Sequence, residues 1–393
     1  MRHSVHLALV LTALAGALPR AQQPAVQAPP RPETPIFRLS VSLIQLDVVV
    51  TDRHGRHVTN LGPDDFIVYQ DGRPQPVTAV SYVDSADDWV DTSGLPPLPL
   101  ESLRPRDARR VMAIVVDDQR MSFDSMAHAR YGLQKFAERE FQPGDLAVLV
   151  TTSGGLRYAP VLTFSPLVLK AEIKRLGYSL WGVRGASALD PITDPRELLD
   201  GNGYDNLQER TFAVSSLERV NAVIDVLKTL PGRKSVTLVS EGFSVFGFGM
   251  DNQLIRDYLR RLVDHANRAG VVVYALDPRG LVVTGITAAD SVNPTRSGQV
   301  AMMRSSALRD SQDGLRYLAG ETGGFAVVDS NDLAGGMRRI VTDQNGYYLV
   351  GYQPDAGTVR TDGSGRYMKL KIKVKTKGLH VRTRSGFYAN ASE

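Results

Sequence analysis

The stretch "VMAIVVDDQRMS", residues 111–122, decides the fold. Six apolar residues, Val111 to Val116, run without polar alternation, and two carboxylates, Asp117 and Asp118, follow at once. A strand apolar on both faces belongs inside a parallel sheet covered by helices. The carboxylates then mark its carboxyl end, the edge where open α/β sheets bind ligands.

The flanking sequence repeats the pattern. A helix is expected from about Ser125 to Glu140, a strand in "PGDLAVLVTTS" (143–153), and an antiparallel edge in "LRYAPVLTF" (156–164). Ser165 to Leu176 reads as a helix with Ser165 as N-cap and Pro166 at its first position. Residues 206–230 and 251–269 read as helices, each followed by a strand, in "SVTLVSE" (235–241) and "GVVVYALD" (270–277). A last helix-to-strand step runs through "LRYLAGETGGFAVVD". Strands alternating with helices predict an α/β doubly wound, mostly parallel, Rossmann-like sheet. Asp117, Asp118, Glu241 and Asp277 all fall at strand ends.

The remainder of the chain differs in character. "MRHSVHLALVLTALAGALPRAQQP" has a basic start, a short apolar run and small residues, which is the pattern of a secretory signal peptide over residues 1–21, cleaved after Ala17 or Ala21. Export to the periplasm or medium is expected. A Pro- and Gln-rich linker covers residues 22–36, and an acidic, then Pro-rich one covers 85–106. Between them, residues 37–84 alternate apolar and polar residues between turn signals, a small β module. Parity slips between Leu43 and Leu46, which predicts a bulge near Ile44–Gln45. Residues 107–345 form the α/β domain and 346–393 a β extension. In the latter Met368, Leu370, Ile372 and Val374 share one face of a strand, and Lys369, Lys371, Lys373 and Lys375 the other.

The chain of 393 residues carries 46 basic and 42 acidic side chains, a net charge of +4 that points to no strongly charged partner. Cysteine is absent, which excludes disulfides, thiolate metal sites and a Cys nucleophile. No apolar stretch after the leader approaches transmembrane length. The lysine face lacks interleaved aromatics, so no nucleic acid is expected.

The segments "VVVTDRHGRHVTNLGPDDFIVYQDGRPQPV", "VMAIVVDD", "LPGRKSVTLVSEGF", "LAGETGGFAVVD" and "YYLVGYQP…RYMKLKIKVK…VRTRSGFYA" give the chain, from Phe37 to Tyr388, a further reading. In order and spacing it resembles the von Willebrand factor A-domain-related proteins of the acidobacterial type. The resemblance implies an A-domain fold and a binding role. A-domains that bind through a metal-ion-dependent adhesion site use D-x-S-x-S after the first strand, a Thr in a later loop and an Asp after the fourth strand. Carried onto this chain, the set becomes Asp117, Ser122 one residue late, Ser187 for the Thr and Glu241 for the Asp, with Mg²⁺ or Ca²⁺ as the implied ion. Gln119 and Met121 stand at the two Ser positions, and a thioether is no ligand for a hard cation.

Two long insertions, residues 177–206 and 277–299, widen the loops of the same edge. Trp181 and Arg184 in the first have the chemistry of interaction anchors, and Asp118 and Gln119 complete a candidate partner-binding set. The expected function is non-enzymatic, adhesion-like recognition of a protein or other envelope macromolecule. The alternatives are a metal-assisted hydrolase centred on Asp117, Asp118 and Glu241, and a structural scaffold of the envelope. No G-x-S-x-G, H-E-x-x-H or phosphate loop supports other catalysis.

Overall fold

A computed structural model describes residues 43–84, 108–154, 160–178, 191–192, 203–245, 253–354 and 366–388. The apolar run is β5 (Arg110–Val116), every residue of which is buried. It pairs in parallel with β6 (Asp145–Thr151) on one side and with β7 (Lys234–Val239) on the other. Two further parallel strands, β8 (Val271–Leu276) and β9 (Ala326–Val327), complete a five-stranded sheet in the order β6-β5-β7-β8-β9. The fold is α/β with helices on both faces.

Alternation along β5 divides its side chains between two cores. Val111, Ala113 and Val115 join the cluster covered by α3 (Gly203–Lys228), α4 (Gln253–Ala269) and α5 (Ser297–Glu321). Met112, Ile114 and Val116 join the cluster covered by α1 (Phe123–Arg139), α2 (Pro166–Arg175) and α6 (Leu333–Gln344). Each fully buried aliphatic side chain contributes about 1.5–3 kcal/mol. Ser165 caps α2 as expected, accepting from the amide of Val168. The expected antiparallel edge is seen among the described residues as one bridge, Thr163 against Ala147 of β6.

The β segments at either end of the chain form one unit. Strands β1 (Ile44–Thr51), β2 (Phe66–Gln70), β3 (Arg73–Gln75) and β4 (Val77–Asp84) precede the α/β domain. After it come β10 (Gly346–Tyr352), β11 (Tyr367–Val374), β12 (His380–Arg382) and β13 (Gly386–Tyr388). They interleave into two four-stranded sheets, β12-β1-β10-β4 and β13-β11-β2-β3. Leu46, Val48, Val50, Tyr348 and Val350 of one sheet share a core with Phe66, Val68, Leu370 and Ile372 of the other. The module and the extension read separately in the sequence are thus halves of one sandwich, with the α/β domain inserted between β4 and β10.

The bulge expected near Ile44–Gln45 is absent: β1 pairs with β10 in unbroken register from Ile44 to Val48. Leu43 lies outside the strand and is exposed, so the apolar set is Ile44, Leu46, Val48 and Val50, all of one parity. The register shift lies at Gly351–Tyr352, against β4. On β11 the alternation holds, with Met368, Leu370 and Ile372 buried and Lys369, Lys371 and Lys373 exposed.

Arg110 ties the sheet to α6. Its guanidinium is fully buried and bonds Asp145 through both carboxylate oxygens, at 2.8 and 2.6 Å, while Nη1 donates to the carbonyl of Val341 and to Asn345 Oδ1. One residue later the chain enters β10 at Gly346, where a Cβ would lie 1.9 Å from the hydroxyl of Tyr82. A side chain at this position would push the Tyr82 ring aside where α6 passes into the sandwich. Removing one member of a buried, hydrogen-bonded ion pair leaves the other uncompensated. Arg110→Ala is expected to lose about 3–5 kcal/mol of unfolding free energy, measured by urea denaturation. Loss below about 1 kcal/mol would show that the pair does not hold this junction.

Candidate functional site at the carboxyl edge of the sheet

Beyond β5 and β7, on either side of the point where strand order reverses, the backbone ladder continues for one more residue. Asp117 N donates to Val239 O, Ser240 N to Leu276 O, Asp277 N to Val327 O, and Thr152 N to Val116 O. Asp117, Thr152, Ser240 and Asp277 therefore stand in one row along the sheet edge. In a sheet of this order the reversal opens the crevice that binds ligands.

Asp117 is the centre of the row and is completely buried. Its Oδ1 accepts from Thr152 Oγ1 at 2.9 Å and from Ser216 Oγ of α3 at 2.8 Å, and its Oδ2 accepts from Ser240 Oγ at 2.7 Å. The nearest cation is Arg120, whose Nε lies 3.8 Å from Oδ2 and donates to Gly242 O at 3.1 Å. Burial pushes the Asp117 carboxyl up from its ordinary value, while Arg120 and the three hydroxyls pull it down. Gly242 supplies its carbonyl from a left-handed turn, φ +83°, in which a Cβ would lie 2.1 Å from Ser311 O. The glycine of "VSEGF" is required by that approach to α5.

The other strand-end carboxylates are also turned inward. Asp118 is buried, accepting from Thr152 Oγ1 and the Ser153 amide at Oδ1 and from Ser153 Oγ at Oδ2, at 3.2, 2.8 and 2.5 Å. Asp277 is held by the fork of Arg279, Nε to Oδ1 at 2.9 Å and Nη2 to Oδ2 at 2.7 Å, and by Gln312 Nε2. Ser122 is the N-cap of α1: its hydroxyl accepts from the Ser125 amide, and its own amide donates to Glu241 Oε1 at 2.7 Å. Of the residues singled out in the sequence, Ser122 and Glu241 are thus joined to each other, whereas the bonds to Asp117 come from Thr152, Ser216 and Ser240. Gln119 has its amide oxygen buried without a hydrogen-bond partner. Trp181, Arg184 and Ser187 lie outside the described residues.

The donor set bears on a cation. Mg²⁺ and Ca²⁺ take six to eight oxygen ligands, several of them carboxylate or water. Among the described residues no three His, Asp or Glu side chains are grouped to hold a metal. Met121 is packed into the apolar core, Ser122 and Glu241 are engaged with backbone amides, and a guanidinium stands beside Asp117. The single orphaned oxygen of Gln119 is no cation shell, so the described residues do not fit the implied ion.

Two features invisible in the sequence frame this edge. His128 of α1 reaches both neighbouring loops, Nδ1 at 2.8 Å from Pro278 O and Nε2 at 2.9 Å from Asn331 O. The two long insertions also meet: Asp290 Oδ1 accepts from the Ile192 amide, Ser291 N donates to Ile192 O, and Arg304 of α5 forks onto Asp290 at 3.0 and 2.6 Å. Arg304 also donates to Gly285 O. On the same edge Phe123, Leu281 and Val283 are exposed, 65%, 67% and 75% respectively.

No protein-family model and no curated protein matches the chain. Among solved structures it is similar to an aerotolerance-related membrane protein from Bacteroides fragilis, at 9% identity over 60% of this chain and 97% of that one, with a TM-score of 0.28. BatB from Bacteroides thetaiotaomicron matches at 10% identity over 60% and 95%, with a TM-score of 0.29. The pilus adhesin SpaC from Lactobacillus rhamnosus GG matches at 12% identity over 71% of this chain and 43% of that one, with a TM-score of 0.31. Among the described residues no helix is long and apolar enough to cross a membrane.

The Asp290–Arg304 clasp generates a pH prediction. Bonds from Arg304 and from the Ile192 and Thr287 amides hold the Asp290 carboxyl well below its ordinary 3.8. A depressed folded-state pKa contributes stability that is complete above the unfolded value and is lost as pH falls through the folded one. Asp290→Asn is therefore expected to lower the melting temperature at pH 7 and to flatten its fall below pH about 4, both read by calorimetry. An acid limb as steep in the variant as in the parent would assign that limb to other groups.

Proposed function

We propose that residues 107–345 form a von Willebrand factor A domain in an exported, non-enzymatic binding protein. The domain recognises a protein or other envelope macromolecule through the loops at the carboxyl edge of its sheet. The observation that carries this reading is the inward closure of the three strand-end aspartates Asp117, Asp118 and Asp277. Asp117, Asp118 and Asp277 each spend their oxygens on the chain's own hydroxyls, amides and guanidinium groups. Catalysis by such groups needs a carboxylate held within reach of a substrate's proton or of an activated water. Carboxylates bonded inside the protein instead fix the loops above them.

Among what the edge offers outward are three exposed apolar side chains. Phe123 begins α1, and Leu281 and Val283 lie on the loop after β8, whose base is pinned by His128 and by the Leu281 amide donating to Asn331 Oδ1. Exposed apolar side chains at a helix start and on a loop pinned at its base favour a protein surface as partner. This reading moves direct contact from Asp118 and Gln119 to Phe123, Leu281 and Val283, and keeps Trp181 and Arg184 as further candidates. Export follows from the leader pattern of residues 1–21.

Immobilised full-length protein is expected to capture a partner from envelope or matrix fractions in the presence of a chelator. Phe123→Ser and Leu281→Ser/Val283→Ser are each expected to weaken the captured complex about tenfold, roughly 1.4 kcal/mol, with unchanged melting temperature. Equal capture by these variants would place the contact elsewhere. Cation-dependent turnover of an envelope substrate, abolished by Asp118→Ala, would replace binding by hydrolysis.

A further inference from the structure

We infer that Arg120 is a built-in cation: its guanidinium stands at the reversal point of the sheet in the place of a divalent ion, so that the edge is organised without metal. The inference rests on the A-domain reading and adds the identity of the counter-charge.

For a carboxylate buried as completely as Asp117 to stay ionised it needs an opposite charge, because low dielectric surroundings penalise an isolated ion heavily. Three hydroxyl donors disperse that charge but do not neutralise it. Arg120 does, with its side chain only 8% exposed and Nε 3.8 Å from Oδ2. The same Nε donates to Gly242 O, so the guanidinium spans from the loop after β5 to the loop after β7. Bridging these two loops across the crevice is the mechanical task of an ion at this position, and arginine does it with directed donors and a permanent charge.

The rest of the loop is consistent with a resident arginine. At residues 119 and 121, where hydroxyls would face an ion, stand an amide whose oxygen is buried and a methionine packed in the core. The hydroxyl of Ser122 caps α1, and Glu241 accepts from the amide at that same helix start. Of the described residues in the implied set, Met121, Ser122 and Glu241 each have another task, Gln119 offers one lone oxygen, and the positive charge is covalently part of the loop.

The test uses the full chain. Calorimetric titration of the parent protein with Mg²⁺ and with Ca²⁺ is expected to show no binding at millimolar ion, and its melting temperature is expected to be the same with and without chelator. Stoichiometric binding lost in Asp117→Asn would overturn the inference without any variant of Arg120. A double-mutant cycle then tests the pairing. Arg120→Met strands the Asp117 charge and should lower the melting temperature by roughly 6–12 °C. Asp117→Asn/Arg120→Met should lose less than Arg120→Met alone, and Arg120→Lys should fall between parent and Arg120→Met. Additive losses in the double variant, or an Arg120→Met protein as stable as the parent, would overturn the assignment. A chain that binds no cation but captures no partner would leave Arg120 as the counter-charge and retire the binding reading, so the two failures are distinct.

Discussion

The arrangement of this protein depends on the burial of one carboxylate. Asp117 sits at the end of a strand with no exposed residue, at the point where the sheet changes direction, and solvent does not reach it. A charge in that position must be met by the protein itself. The response comes from four separate segments: Thr152 after β6, Ser216 on α3, Ser240 after β7 and Arg120 on the loop of Asp117 itself. Satisfying Asp117 therefore fixes the relative positions of three strand ends and one helix. The carboxylate is a positioning group for the whole edge.

The same economy recurs along the row. Arg279 and Gln312 close Asp277, Ser153 closes Asp118, and Arg304 closes Asp290 where the two insertions meet. At the opposite end of the sheet Arg110 does this for Asp145 and reaches α6 as well. Long loops above a sheet carry a large conformational entropy. Among the described residues, buried charge pairs and caps tie Ile192 and residues 277–291 to the edge. The sandwich built from both chain ends gives the inserted domain a second anchor, since its first strand follows β4 and its last helix passes into β10 through Gly346.

The α/β reading was legible because period and length are local properties. The run of Val111 to Val116, the cap and proline of Ser165–Pro166 and the lysine alternation of β11 each announce their element. The bulge expected in β1 does not form because Leu43 precedes the strand and faces solvent, so the parity of the buried apolar residues never slips. The joining of the two terminal β segments was not legible: pairing partners separated by some three hundred residues leave no mark in either segment alone, and only the closed core of Leu46, Phe66, Tyr348 and Leu370 reveals them.

The sequence by itself determined where a carboxylate would sit, because a polar residue following a buried parallel strand must fall at the sheet's carboxyl edge. It also contained Arg120, Thr152 and Ser240, each next to a recognisable strand end, but gave no sign of which way their side chains turn. Tertiary structure decided that. Ser216 reaches Asp117 only because α3 packs on β5, Arg120 turns inward because Gly242 offers a carbonyl across the crevice, and Glu241 is drawn to the start of α1 instead. Strand ends are set by local hydrophobicity, whereas the partner of a buried charge is set by whatever the folded chain brings within hydrogen-bonding distance.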